Sequence, residues 1–296
     1  MHPDLLRKTV VCAAAVVLPL MFISCNRQSV APKHSAVEEQ IAGPARVGTT
    51  GTTAPAQPEA GTSSTATASD AAVERDPDAI KALEEMSNYL RTLKAIQVHA
   101  TTSRDEVLDD GQNVTFSGTL DMIAERPNHL RAEVINDKQQ RMYFDDGKTF
   151  SVWARRVNYY ATIPAPPTLR ELADKLSDEY NLELPMADLF YWGDSKTTGD
   201  IVGAIDLGAA QVDGTTCEHY AFRQKGADWQ VWIQQGNYPL PRKLVITTTT
   251  DPARPRFTSV MTWNLAPSFD EAAFTFEPPK DAKKITFGRT PTGNSE

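Results

Sequence analysis

Ile163-Pro164-Ala165-Pro166-Pro167-Thr168-Leu169-Arg170-Glu171 interrupts a chain that otherwise reads as strands and tight turns. A run this rich in proline cannot continue a strand, because each proline lacks the N–H that a ladder needs. Thr168 then stands three residues before Glu171, the spacing of a capping box, so a helix opens here. Leu169, Leu172 and Leu176 give that helix an apolar edge. Pro185 to Trp192 reads as a second short helix, ending at Gly193. The insertion also carries Leu182, Leu184, Met186, Leu189, Phe190, Tyr191 and Trp192. A connection between strands that is loaded in this way must cover something: the concave face of a sheet, or a ligand lying there.

On both sides of the insertion lie strand-like runs. Before it come Thr115–Ala124, Leu130–Ile135, Arg141–Phe144, Phe150–Ala154 and Tyr159–Ile163. After it come Cys217–Arg223, Trp229–Ile233, Lys243–Thr249 and Ser259–Leu265, with a weaker pattern over Ala204–Val212. Asp110-Gly111, Asp146-Gly147 and Asp213-Gly214 supply the positive φ angles of tight hairpins. Short connections make neighbours antiparallel. Few helix-length crossovers separate the runs, which argues against a doubly wound parallel sheet. Ahead of the strands, Asp76 caps a helix with Pro77 at its first position. Ile80, Leu83, Met86, Leu90 and Leu93 form its apolar stripe, and it should end near Leu93. The expected class is therefore α+β, an antiparallel sheet with an N-terminal helix and a helical insertion.

The chain has 296 residues and a formal charge of −8, with no basic stripe, which argues against nucleic acid as a partner. Of its 24 aromatic residues only Phe22 precedes Arg75. Arg7 and Lys8 precede an apolar run from Thr9 to Ile23, too short to span a bilayer comfortably. This is the pattern of an export signal. Phe22-Ile23-Ser24-Cys25-Asn26 resembles a bacterial lipobox, which makes Cys25 the expected site of lipid attachment. Phe22 stands where Leu is commoner, and an uncleaved anchor or a signal cut elsewhere is the alternative. Asn26, rather than Asp, favours the outer membrane. Asn26 to Val73 is rich in Ala, Thr, Ser, Pro and Gly and contains no Leu, Met or aromatic residue. Such a segment cannot offset its ordering entropy, and reads as a tether spanning roughly 35–40 Å. The expected organisation is a signal peptide over 1–24, a lipidated cysteine and tether over 25–74, a folded domain over 75–287 and a tail over 288–296.

The folded part carries no catalytic or metal-binding sequence signature. Its histidines, His99, His129 and His219, stand in no His-Glu-x-x-His arrangement, and no Cys-x-x-Cys occurs. No Gly-x-Ser-x-Gly elbow and no phosphate-cradling glycine loop is present. Cys217 and His219 fall on one face of a strand about 6.5–7 Å apart, too far for a dyad; a small core-facing thiol and an ordinary sheet histidine are expected instead. Asp145-Asp146 fits a hairpin turn better than a metal pair, and Arg155-Arg156 fits a solvated turn better than an anion site. The expectation is no enzyme, no cofactor and no metal.

Several stretches resemble a known family: Arg126-Pro127-Asn128-His129-Leu130-Arg131, Tyr143-Phe144-Asp145-Asp146-Gly147-Lys148, and Leu182–Trp192. Asp228-Trp229-Gln230-Val231-Trp232-Ile233, with Pro239-Leu240-Pro241-Arg242-Lys243-Leu244, is the most specific. Phe274-Thr275-Phe276-Glu277-Pro278-Pro279 resembles the closing strand. The family is one of predicted periplasmic proteins of unknown function, in the superfamily of the lipoprotein carriers LolA and LolB. The resemblance covers roughly residues 76–287. It implies an unclosed antiparallel β-barrel, a LolA/LolB-like half-barrel, with a helical lid across its mouth. It further implies a cavity that accepts a hydrophobic ligand, and with the lipobox-like leader and Asn26 the expectation is an outer-membrane-anchored periplasmic lipoprotein that binds an acyl chain, lipid or lipoprotein, as carrier or acceptor. The alternative is a structural or interaction lipoprotein of the envelope that holds no ligand. Trp153, Leu189, Phe190, Trp192 and Trp232 are the candidate cavity lining; plain core packing is the alternative for each.

Overall fold

The computed structural model describes residues 74–194 and 197–289. Cys25, the leader and the tether lie outside the described residues. The chain begins with α1 (Pro77–Thr92) and runs through β1 (Ala95–Val107), β2 (Asn113–Glu125), β3 (His129–Asn136), β4 (Gln140–Asp146), β5 (Thr149–Ala154) and β6 (Tyr159–Pro164). The insertion follows as α2 (Leu169–Tyr180) and α3 (Ala187–Asp194). Then come β7 (Ile201–Val212), β8 (Thr215–Gln224), β9 (Ala227–Gln234), β10 (Pro241–Thr248), β11 (Arg256–Asn264) and a two-residue β12 (Lys283–Lys284).

The strands form one sheet in the order β12-β6-β5-β4-β3-β2-β1-β11-β10-β9-β8-β7. Every pair is antiparallel except β12 with β6. Among the described residues β12 and β7 are the two edges and do not pair with each other, so the barrel is unclosed. Two meanders, β1–β6 and β7–β11, are joined at the centre by β1 against β11. The fold is thus α+β, an antiparallel unclosed barrel with an N-terminal helix and a helical insertion.

This order explains the insertion. β6 lies beside one edge and β7 forms the other, so the chain between them must travel the width of the sheet. Its apolar side chains are the consequence: Leu169, Leu172, Leu176, Leu182, Leu184, Leu189, Phe190 and Trp192 join one core with the sheet and α1. Thr168 caps α2 by accepting from the Glu171 N–H at 3.2 Å, and Asn181 ends it in the left-handed region. Asp76 caps α1 by accepting from the Asp78 N–H at 2.8 Å. Gly111, Gly147 and Gly214 hold φ of 76–84° in their turns, conformations in which a Cβ is strained.

The structure extends the sequence reading at two strands and corrects it at one segment. The sequence pattern predicts no strand over Ala95–Val107, yet β1 is one of the two longest strands and sits at the sheet centre. Ile96, Val98 and Ala100 alternate cleanly, but Thr101-Thr102-Ser103-Arg104-Asp105-Glu106 is polar on both faces and hides the period. The weak Ala204–Val212 pattern is a full twelve-residue strand, blurred by bulges at Ile201/Gly203 and Asp206/Gly208. The Phe274–Pro279 stretch is not a strand. A 3-10 turn over Glu271–Phe274 leads into irregular chain that packs Phe274 and Phe276 on the sheet's outer face.

Candidate functional site

Side chains alternate across a strand, so parity sorts the sheet into a helix-covered inner face and an outer face. On β9, Trp229, Val231 and Ile233 point inward, and Asp228, Gln230 and Trp232 point outward. On β5, Phe150 and Val152 point inward, and Ser151 and Trp153 outward. The five candidate lining residues therefore divide. Leu189, Phe190 and Trp192 are buried in the inner core, with Trp192 stacked on Trp229 at 6.2 Å and Trp229 on Phe222 at 4.4 Å. Trp153 lies on the outer face beside Phe276, and its indole N–H donates to Asn158 at 3.1 Å. Trp232 is also on the outer face, between His219, stacked at 3.8 Å, and the Lys243 ammonium at 4.5 Å. These two cannot share a lining with the other three, because their strands turn them away. Trp229 and Trp263 are the sheet tryptophans that pack with the inner core.

The other candidates of chemistry resolve as local structure. His219 bonds Gln230 at 3.0 Å, while the Cys217 thiol donates to the Thr215 carbonyl at 3.6 Å. Cys217 is buried as expected, but on the outer side by parity with His219. Asp146 accepts from the Lys148 and Thr149 N–H groups, and Asp145 from that of Gly147, as a hairpin requires. Arg156 donates to the Asn136 and Asp137 carbonyls.

The inner face holds a polar group that the sequence reading missed. Arg104 shares parity with Ile96, Val98 and Ala100 and so points inward from β1. It meets Glu183, from the loop between α2 and α3, at 3.4 Å. Arg141 points inward from β4 beside the Tyr143 hydroxyl. Burial raises the Tyr143 phenol above its usual value, with Arg141, Glu183 and Arg104 all acting on it. Burial also pushes Glu183 up to about 7, against the opposing pull of Arg104. Asp188 on α3 is raised to about 6 by the same cause. The group sits at a boundary. Toward Ile96 and Ala100 the inner face of β1 is sealed, whereas from Thr102 to Glu106 it is half-exposed, as are Phe116 and Phe257 across it. Strand parity was the signal that could have found Arg104 and Arg141; nothing local points Glu183 at either.

A family model described as "Predicted periplasmic protein (DUF2092)" matches residues 79–288. The chain belongs to that family. The match takes in both meanders, the insertion and the outer-face C-terminal segment. No curated protein matches the chain significantly. Among solved structures, the Mycobacterium tuberculosis lipoprotein LppX is 14% identical, with a TM-score of 0.43, over 66% of this chain and 100% of that one. LprF from Mycobacterium bovis is 13% identical, with a TM-score of 0.40, over 66% and 96%. A LolA superfamily protein from Nitrosomonas europaea is 11% identical, with a TM-score of 0.28, over 67% and 98%. Identities this low carry no ligand, partner or site residue across.

Proposed function

We propose that the chain is a lipid-anchored periplasmic protein that takes an acyl chain, a lipid or a lipoprotein against the inner face of its sheet. It holds that ligand by binding and not by catalysis. The observation that carries this reading is the strap, α2 and α3, which crosses the inner face without joining the strand ladder. It meets the sheet through apolar side chains, the Arg104–Glu183 pair and a Lys175 hydrogen bond to the Pro164 carbonyl at the end of β6. Such a cover can part from the sheet and leave every strand–strand hydrogen bond in place. The apolar surface so bared suits an acyl chain, whose burial is worth about 25 cal/mol per Å² without directional partners. The family's periplasmic description, the signal-like leader and Cys25 support an anchor at a membrane facing that compartment, with the outer membrane preferred on Asn26. A three-chain lipid anchor would hold almost permanently, since each buried CH₂ adds about 0.8 kcal/mol.

Native mass spectrometry of the full mature chain tests ligand binding. A non-covalent lipid should appear under native conditions and vanish under denaturing ones, while the acyl groups on Cys25 persist in both. A native mass equal to the denatured mass would defeat the reading. A second reading, an envelope interaction protein without a ligand, draws on the β7 edge, where Val202, Ile205 and Leu207 are exposed. Crosslinking in cells separates the two: lipid adducts support the first, and a single protein adduct through β7 supports the second.

A further inference from the structure

Arg104 and Glu183 are an awkward pair to place inside an apolar cover. The contact is made by one carboxylate oxygen, and the other, Oε1, is buried without a hydrogen-bond partner. A buried carboxylate left half-satisfied costs free energy that an apolar residue would not. Arg141 adds a second inward-pointing guanidinium, which among the described residues has no carboxylate partner and lies beside Tyr143. A carrier of plain hydrocarbon has no use for two inward arginines. An amphiphile has a use for both, because arginine's planar fork matches carboxylate and phosphate oxygens.

We infer that Arg104 and Arg141 receive the anionic head of an amphiphilic ligand, and that the Glu183 carboxylate stands in that head's place while the strap is closed. This rests on the binding function proposed above and names the ligand class. The surroundings fit such a head. Arg104 and Glu183 are 27% and 19% exposed, so the pair is accessible from the half-open end of the inner face. The Phe257 ring lies 5.8 Å from the Arg104 guanidinium and Phe116 stands opposite it on β2, so apolar surface begins directly at the charge. Burial weakens Glu183 as a competitor: raised to about 7, it is partly protonated near neutrality, whereas a phosphate monoester keeps a negative charge there. The incoming head therefore displaces Glu183 and frees the strap at the same step.

The test titrates the full mature protein with three probes, followed by tryptophan fluorescence. These are oleoyl lysophosphatidic acid, monooleoylglycerol (same chain, neutral head) and glycerol 3-phosphate (same head, no chain). The lysophosphatidic acid should bind about tenfold tighter than monooleoylglycerol, the worth of one charge-assisted hydrogen bond. Arg141→Gln should erase that preference, bringing the lysophosphatidic acid to the affinity of monooleoylglycerol in the same variant. Glu183→Gln should tighten the lysophosphatidic acid more than monooleoylglycerol, because it both loosens the strap and removes the competing carboxylate from Arg104. Equal affinities for the two lipids would overturn the inference and leave the binding function standing. Glycerol 3-phosphate binding as tightly as the lipid would make the site one for a free phosphate and overturn the amphiphile. If neither lipid binds, the binding function falls and the inference with it. Should Arg141→Gln fail to fold, Glu183→Gln decides, and an unchanged preference counts against the inference.

Discussion

Glu183 and Arg104 are 79 positions apart, and their meeting has a pH signature. An unfolded glutamate titrates near 4.5, whereas in the fold Glu183 is pushed to about 7 by burial. Between those values the folded chain keeps a proton that the unfolded chain has lost. The Glu183 contribution is therefore fully present below about 4.5, is lost as pH rises toward 7, and is flat beyond. Glu183→Gln should flatten the stability–pH curve over that window by up to about one proton, as read from denaturation midpoints between pH 4.5 and 7.5. Coincident slopes for the two proteins would mean that the carboxylate is not held in its buried setting. A second residue-scale prediction concerns the tryptophans. Trp192→Ala, within the core, should cost about 3–5 kcal/mol. Trp232→Ala, on the outer face, should cost about 1 kcal/mol, the scale of a surface cation–π contact. Equal losses in chemical denaturation would contradict the assignment of faces. That assignment was partly legible beforehand. Trp232 shares a face with Asp228, Gln230 and Gln234, and Trp153 with Thr149 and Ser151, so their polar companions mark both as outward.

At the scale of elements, local chemistry sets ends and tertiary position sets the rest. α1 begins where Asp76-Pro77 places it, and α2 where Thr168 caps it. Thr168→Ala should cost about 1 kcal/mol, and should leave the sheet's far-ultraviolet signal intact because no strand depends on the cap. A loss of more than about 3 kcal/mol would mean that the strap and the sheet fold as one unit. The C-terminal segment behaves differently. Its Phe274 is 1% exposed against His129 and Phe269 on the outer face, so Phe274→Ala should cost about 3–5 kcal/mol in thermal or denaturant unfolding. A near-neutral change would show that this segment is a loosely held tail. Nothing in Phe274–Pro279 announces an irregular chain on a second face, since alternating Phe-Thr-Phe reads equally well as a strand.

For the whole molecule, the two meanders meet through β1 and β11, the most distant pairing in the sheet. Such non-local closure slows folding, because loop entropy is lost before the pairing forms. The same topology forces the strap across the inner face. The anchor acts at this scale too. Cys25→Ser should move the protein from the membrane fraction to the soluble periplasmic one with its fold unchanged, and retention in the membrane fraction would remove the lipid from the proposal.

Composition, turn chemistry and helix caps are local properties, so residues 163–193 could be recognised as a helical break loaded with apolar side chains, and the antiparallel class followed from short links between strands. Strand order, the outer-face route of Phe274 and Phe276, and the common influence of Arg104, Arg141 and Glu183 on Tyr143 depend on which distant segments pair. Those pairings are chosen by burial summed over the entire sheet, a quantity that no short window of residues contains.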